Sequence, residues 1–129
     1  MVHVALAFLM ALTGAGKESS LNYEDAFTKA EKEKKPLLIL VGARWCASCQ
    51  VMKRDTLEPM KESGDLKDVV VVLIDKDERP ELAEQLMRGE TLPQVVVFSQ
   101  ESGNWKRFSL TGMQNKSRIG ELLQRASAK

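Results

Sequence analysis

Cys46 and Cys49 are the only two cysteines of the chain and lie three residues apart, within Trp45-Cys46-Ala47-Ser48-Cys49. Thiols at that spacing bring one sulfur within bonding reach of the other, so the pair can take up and give back two electrons as a disulfide opens and closes. Two other uses of cysteine compete with this one. A scaffold stapled by disulfides spreads more cysteines along its length. A zinc site wants four ligands, and the only histidine, His3, is far away at the N-terminal end. Zinc would need a second copy of the chain to supply the missing thiolates. Redox exchange without metal or cofactor is the expectation.

That chemistry needs the pair at a particular place. Leu37-Leu38-Ile39-Leu40-Val41 is a short continuous apolar run, the pattern of a strand buried on both faces. Gly42-Ala43-Arg44-Trp45 turns the chain, and a helix is predicted from Cys46 through Met52 towards Arg54, with Val51 on its buried side and Pro59 breaking or kinking it. A cysteine at a helix N-terminus meets unpaired N–H groups and the positive end of the dipole. Both favour the thiolate, which is the nucleophile. Cys46 is therefore the expected exposed attacker, and Cys49 the more buried resolving thiol. Downstream, Thr91-Leu92-Pro93 opens another apolar run. Proline at a strand start has no N–H to lose, and a cis Leu92–Pro93 bond would let Leu92 offer its backbone to an incoming peptide beside the cysteines.

The remaining elements follow from caps, breakers and periodicity. Asn22 is a plausible N-cap for a helix over Tyr23–Ala30 with acids in its first turn and lysines in its last; Pro36 stops it. The mixed-charge run Lys29–Lys35 reads as a solvated helix face. A second buried strand is predicted over Val69–Ile74, then a turn at Asp75–Pro80 and a helix over Glu81–Met87 opened by Pro80. Asp75 and Asp77 are read as turn residues and not as metal ligands. Strands over Gln94–Phe98 and Trp105–Leu110 flank a hairpin turn at Glu101-Ser102-Gly103-Asn104, with Trp105 in a packing or surface role. Asn115 caps a last amphipathic helix, Lys116–Ala126, with Ile119, Leu122 and Leu123 inward. Met52, Met60 and Met87 are expected core fillers. Alternating strands and helices followed by a hairpin and a helix give an α/β architecture, a central mixed sheet of about four strands flanked by helices.

Composition limits the partners. The 129 residues fit one compact domain with a core of its own. With a formal net charge of +1 the chain has no basic stripe of the kind that nucleic acid requires. Val2–Leu12 is an apolar run of the length of a signal-peptide core, too short to span a bilayer, and the small residues Thr13-Gly14-Ala15-Gly16 follow it. The run has no Lys or Arg before it. Residues 1–20 therefore read either as an export signal or membrane-proximal anchor, or as an N-terminal strand or extension. The folded domain is expected over 21–129.

Trp45-Cys46-Ala47-Ser48-Cys49 together with Leu92-Pro93 closely resembles the thioredoxin superfamily, over roughly Asn22 to the C-terminus. The stretch from Tyr23 to Cys46 looks most like small bacterial thioredoxin-like proteins and the periplasmic C-terminal domain of the Dsb-system transmembrane thiol transporter. The resemblance implies a thioredoxin fold and a monomer that exchanges disulfides with substrate proteins and a redox partner protein. It implies Cys46 as nucleophile, Cys49 as resolving cysteine and Pro93 as the cis-proline. Trp45, Leu92 and Pro93 would meet substrate, supported by Arg44, Ala47 and Ser48. It also implies a periplasmic or otherwise exported location, with the cytoplasm as the alternative. Three departures stand out. Ala47-Ser48 replaces Gly-Pro, and the buried Asp and its partner Lys of thioredoxin align with Leu40 and near Val71. Water, Asp55 or Glu58 would then have to accept the Cys49 proton. Neither residue between the cysteines is the histidine of strongly oxidising relatives, which leans the poise towards a reductant or an intermediate. A thioredoxin-fold adaptor or chaperone that never turns over its cysteines is the competing reading.

Overall fold

The structure is a computed structural model and describes residues 21–127. The expectations for residues 1–20 fall outside the described residues. In order the elements are α1 (Tyr23–Glu33), β1 (Leu37–Gly42), α2 (Ala47–Met52), a π-helical turn (Lys53–Leu57), α3 (Glu58–Glu62), β2 (Val70–Asp75), α4 (Pro80–Leu86), β3 (Gln94–Glu101), β4 (Asn104–Thr111) and α5 (Lys116–Ser127). The four strands form one mixed sheet in the order β2-β1-β3-β4. β1 runs parallel to β2 and antiparallel to β3, and β3 and β4 form the hairpin. This is the thioredoxin fold expected from the sequence.

Side-chain alternation along the strands builds two cores. Leu37, Ile39 and Val41 of β1 point to one face, where they join Val70, Val72, Ile74 and Val96 under Ala26 and Ala30 of α1 and Ala83 and Leu86 of α4. Leu38 and Leu40 point to the other, with Val95 and Val97, beneath Met52, Leu57, Met60 and the inward face of α5. β1 is buried at all six positions, as a continuous apolar run in a central strand should be. Leu40 belongs to the second of these cores and Val71 packs against it, so the places where thioredoxin carries its buried Asp and Lys are filled by hydrocarbon.

The helix termini are set by the residues that the sequence marks. Asn22 Oδ1 accepts the Asp25 N–H at 2.8 Å, and Asn115 Oδ1 accepts the Arg118 N–H at 2.9 Å. α1 ends at Lys34 in a left-handed conformation (φ 54°), with the Lys35 N–H on Ala30 O, before Pro36 is reached. Ser102 and Gly103 take positive φ (52° and 82°) in the β3–β4 turn, the conformation a tight hairpin needs. Trp105 is half-buried and stacks near Phe27 of α1 at 4.8 Å between ring centroids.

Two expectations need correction. Val69–Ile74 has the composition of a doubly buried strand, yet β2 lies at the sheet edge and Leu73 is 38% exposed. Its inner face is covered by α1 and α4, but the helices on the opposite face reach only as far as Val71. Pro59 does not break the helix that follows the cysteines. A proline lacks the N–H for the i−4 bond and its ring presses on that carbonyl. Here the chain widens to a π turn just before it, with the Glu58 N–H on Lys53 O, and so stays helical from Ala47 to Glu62.

Candidate active site

β1 ends at Gly42 in the middle of the sheet, and the chain leaves it through a turn in which the Cys46 N–H donates to Ala43 O at 3.1 Å. Cys46 is extended (φ −83°, ψ 104°) and is the N-cap of α2, one position outside the helix predicted to begin on it. Its Sγ accepts the Cys49 N–H at 3.2 Å. The Ser48 hydroxyl lies 3.3 Å from the same sulfur, and a disulfide sulfur carries no hydrogen, so the hydroxyl donates. Cys46 and Cys49 are joined as a disulfide with their Cα atoms 5.2 Å apart.

Both cysteines are buried, Cys46 at 6% exposure and Cys49 at 3%. The order of exposure is the expected one, but Cys46 is covered and not open. Ala43 and Leu92 pack against the pair. Behind Cys49 stands Gly42: a Cβ built there would lie 3.0 Å from Cys49 Cβ and 3.1 Å from its Sγ. The inward positions of α2 are Cys49 and Met52; Val51 is only half-buried, because it lies two residues beyond Cys49, off that line of the helix.

The flanking residues are outside and tied down. Trp45 is 69% exposed, and its indole Nε1–H donates to Asp77 Oδ2 at 2.7 Å. The Arg44 guanidinium meets Glu78 Oε1 at 2.5 Å, and the Arg44 main-chain N–H donates to Asp75 Oδ2 at 3.2 Å. Asp75 Oδ1 accepts the Asp77 and Glu78 N–H groups at 2.8 and 3.2 Å. The acids after β2 are thus turn residues, as read, but they also fasten the cysteine loop. Parallel pairing explains this, since Gly42 is in register with Asp75 and the two strands end side by side. Among the described residues no group of three or more His, Cys, Asp or Glu is placed to hold a metal.

Leu92–Pro93 is a cis peptide bond. Pro93 is buried, and its carbonyl accepts the Gly112 N–H at 2.8 Å, which brings the loop after β4 alongside. Met113, next to that glycine, is 49% exposed. Arg44, Trp45, Ala47, Ser48, Leu92 and Pro93 are therefore all brought to the neighbourhood of the sulfur pair. Asp55 and Glu58 are exposed, Asp55 is hydrogen-bonded to Arg54 at 2.7 and 3.1 Å, and neither bonds to a sulfur.

A family model described as thioredoxin-like matches residues 18–99. The chain belongs to the thioredoxin-like family. Human spermatogenesis-associated protein 20 is 36% identical over 84 residues, covering 64% of this chain and 10% of that protein. The rat protein of the same name is 35% identical over 84 residues, again with 10% of its length covered, so the chain spans about a tenth of those relatives. Thioredoxin Y2 of Arabidopsis thaliana chloroplasts is 31% identical over 118 residues, which is 89% of this chain and 66% of that one. Among solved structures, chloroplastic thioredoxin z superposes with a TM-score of 0.68 at 27% identity over 85% of this chain and 94% of its own. A thioredoxin from Thermus thermophilus shares the fold, with a TM-score of 0.70 at 23% identity over 83% of this chain and 85% of its own.

Two residues of the expected turns have contacts in the site that the sequence did not reveal: Gly42, which stands behind Cys49, and Asp77, which holds the Trp45 indole. Gly42 could have been found as the small residue ending a buried strand. Asp77 follows from the pairing of the strands.

Proposed function

We propose that the protein is a protein-disulfide oxidoreductase of reducing or intermediate poise, in which Cys46 attacks and Cys49 resolves. The position of Cys46 carries the reading: its sulfur caps a helix and receives the Cys49 N–H, beside an exposed Trp45. In the reduced protein the same N–H supports a thiolate. That thiolate attacks one sulfur of a substrate disulfide; the S–S bond breaks and its electron pair leaves with the other substrate sulfur. Cys49, its proton given up to water, then attacks Cys46 Sγ in the mixed disulfide. The second substrate thiolate departs and the Cys46–Cys49 bond closes. Two electrons pass from protein to substrate, and a redox partner protein restores the dithiol.

Trp45, Leu92 and Pro93 form the face met by substrate; Arg44, Ala47 and Ser48 support it. The poise is supported by Ala47, which adds no polar group, and by Ser48, which adds a single hydroxyl. Export is supported by the apolar run Val2–Leu12. N-terminal sequencing of the protein recovered from the periplasm of an expressing bacterium tests it, and an intact Met1 in a cytosolic fraction would place the protein in the cytoplasm instead. A single species of monomer mass on gel filtration is expected.

Insulin reduction driven by dithiothreitol is the decisive assay. The protein should accelerate precipitation, Cys46→Ser should abolish the effect, and Cys49→Ser should accumulate mixed disulfides with substrate. An unaccelerated reaction leaves an adaptor. Trapping by Cys46→Ser with normal turnover by Cys49→Ser reverses the two roles.

A further inference from the structure

Gln94 opens β3 and is 1% exposed, the most deeply buried polar residue among the described residues. Its amide makes four hydrogen bonds, all to the segment just before it. Oε1 accepts the Arg88 N–H at 2.9 Å. Nε2 donates to Arg88 O at 2.9 Å and Thr91 O at 2.9 Å, and reaches Gly89 O at 3.4 Å. The main-chain N–H of Arg88 fixes which way round the amide lies, because only the oxygen can accept it. The pair of bonds to Arg88 copies a strand-to-strand exchange with a side chain in place of a backbone. The segment held in this way leads into Leu92, and Leu92 packs against the cluster formed by Ala43, Cys46 and Cys49.

We infer that Gln94 is a positioning residue. Its amide holds the Arg88–Thr91 segment in one conformation and through it sets where Leu92 stands against the sulfur pair. A buried amide with every polar atom used is costly to replace by hydrocarbon, since the carbonyls and the N–H it leaves behind lose their partners. The segment must then shift towards water, and Leu92 moves with it. The sulfurs themselves are held from the other side, by β1 and α2, so the thiol chemistry stays in place. Gln94 therefore governs the binding of peptide-sized disulfides and has little effect on small ones. This inference rests on the reading of Leu92–Pro93 as the face met by substrate.

The test uses Gln94→Leu and Gln94→Met, which remove the amide at similar volume, with insulin and with the small aromatic disulfide dithiobis-nitrobenzoate. The KM for insulin should rise about threefold to tenfold, the equivalent of one buried hydrogen bond. Its kcat and the rate with the small disulfide should stay within about twofold of the parent. A lowered melting temperature with an unchanged KM, or equal losses on both substrates, overturns the inference. Leu92→Ala separates it from the reading beneath it. If Leu92→Ala raises the KM for insulin and the Gln94 variants do not, only the Gln94 inference falls; if Leu92→Ala leaves it unchanged, the docking face itself falls. Hydrogen exchange in the parent protein covers the case in which neither Gln94 variant folds. The Arg88 amide should be strongly protected, and rapid exchange there would also overturn the inference.

Discussion

Behind Cys49 a methyl group fits only if the cysteine gives way by a few tenths of an ångström. A Cβ at Gly42 would stand 3.0 Å from Cys49 Cβ and 3.1 Å from Sγ, and Cys49 is itself buried. Overpacking of this kind costs about 1–3 kcal/mol. Gly42→Ala should therefore lower the unfolding free energy of the disulfide form, measured by urea denaturation, by that amount, and because the intruding carbon presses on a sulfur it should also change the redox potential. A variant with parent stability and parent potential would show that α2 yields freely. The pair itself is legible in the sequence, since cysteines three apart after a buried strand have few other uses. Trp45 is equally legible as a neighbour, but its tether is not. Asp77 lies 32 residues further on, and the hydrogen bond exists only because β1 and β2 finish at the same end of the sheet. Gln94 falls in the strand expected over Gln94–Phe98, but the bonds of its side chain to Arg88 and Thr91 depend on how the preceding loop folds back and leave no signal in the sequence.

Single elements are where local chemistry is most readable. Asn22→Ala deletes the acceptor for the Asp25 N–H, and the loss of an N-cap costs about 1 kcal/mol; thermal unfolding of the variant measures it, and an unchanged melting temperature would mean that α1 is held by tertiary contacts alone. α1 has a second tie. Arg79, just before α4, reaches both carboxylate oxygens of Glu24 at 2.8 and 2.5 Å, and this guanidinium holds the Glu24 carboxyl down at about 2. A depressed carboxylate stabilises the fold above its unfolded value, about 4.5, and stops doing so as pH falls through the folded one. The pair is exposed and salt-screened, so the effect is small. Comparison of the parent with Glu24→Gln from pH 6 to 2 should show the parent's small advantage shrinking only below about pH 4.5, and an advantage independent of pH would remove the ion pair from the account. Helix starts and the hairpin turn were fixed by Asn22, Pro80, Asn115 and Gly103. The edge position of β2 was not, because the apolar content of Val69–Ile74 is the same whether one face is covered or two. Pro59 misled for a related reason: whether a helix stops or widens at proline depends on what its next turn packs against, and Met60 is buried in the core.

At the scale of the molecule the site draws on four connections between elements. The turn after β1 brings the cysteines, the turn after β2 brings the acids, the loop before β3 brings Leu92 and Pro93, and the loop after β4 closes against Pro93. The buried members of the two cores beneath come from the strands, the helices and Leu66, and Leu92 alone of the site residues packs against one of them. The cysteines are separated by only 3 positions in the sequence. In the chain-entropy picture a cross-link that short removes about 2 kcal/mol of freedom from the unfolded chain, against about 4.7 for a loop of a hundred residues. The fold therefore leans little on its disulfide, and opening the bond leaves both cores standing. A thermodynamic cycle then turns stability into electrochemistry. The difference in unfolding free energy between disulfide and dithiol forms equals the difference in the free energy of closing the bond in the folded and unfolded chains, and about 1.4 kcal/mol corresponds to about 30 mV. A reducing poise requires the disulfide form to be the more stable of the two, and a dithiol form with the higher urea midpoint would make the protein an oxidant. Two denaturation curves thus measure a voltage, with the unfolded chain as the reference electrode.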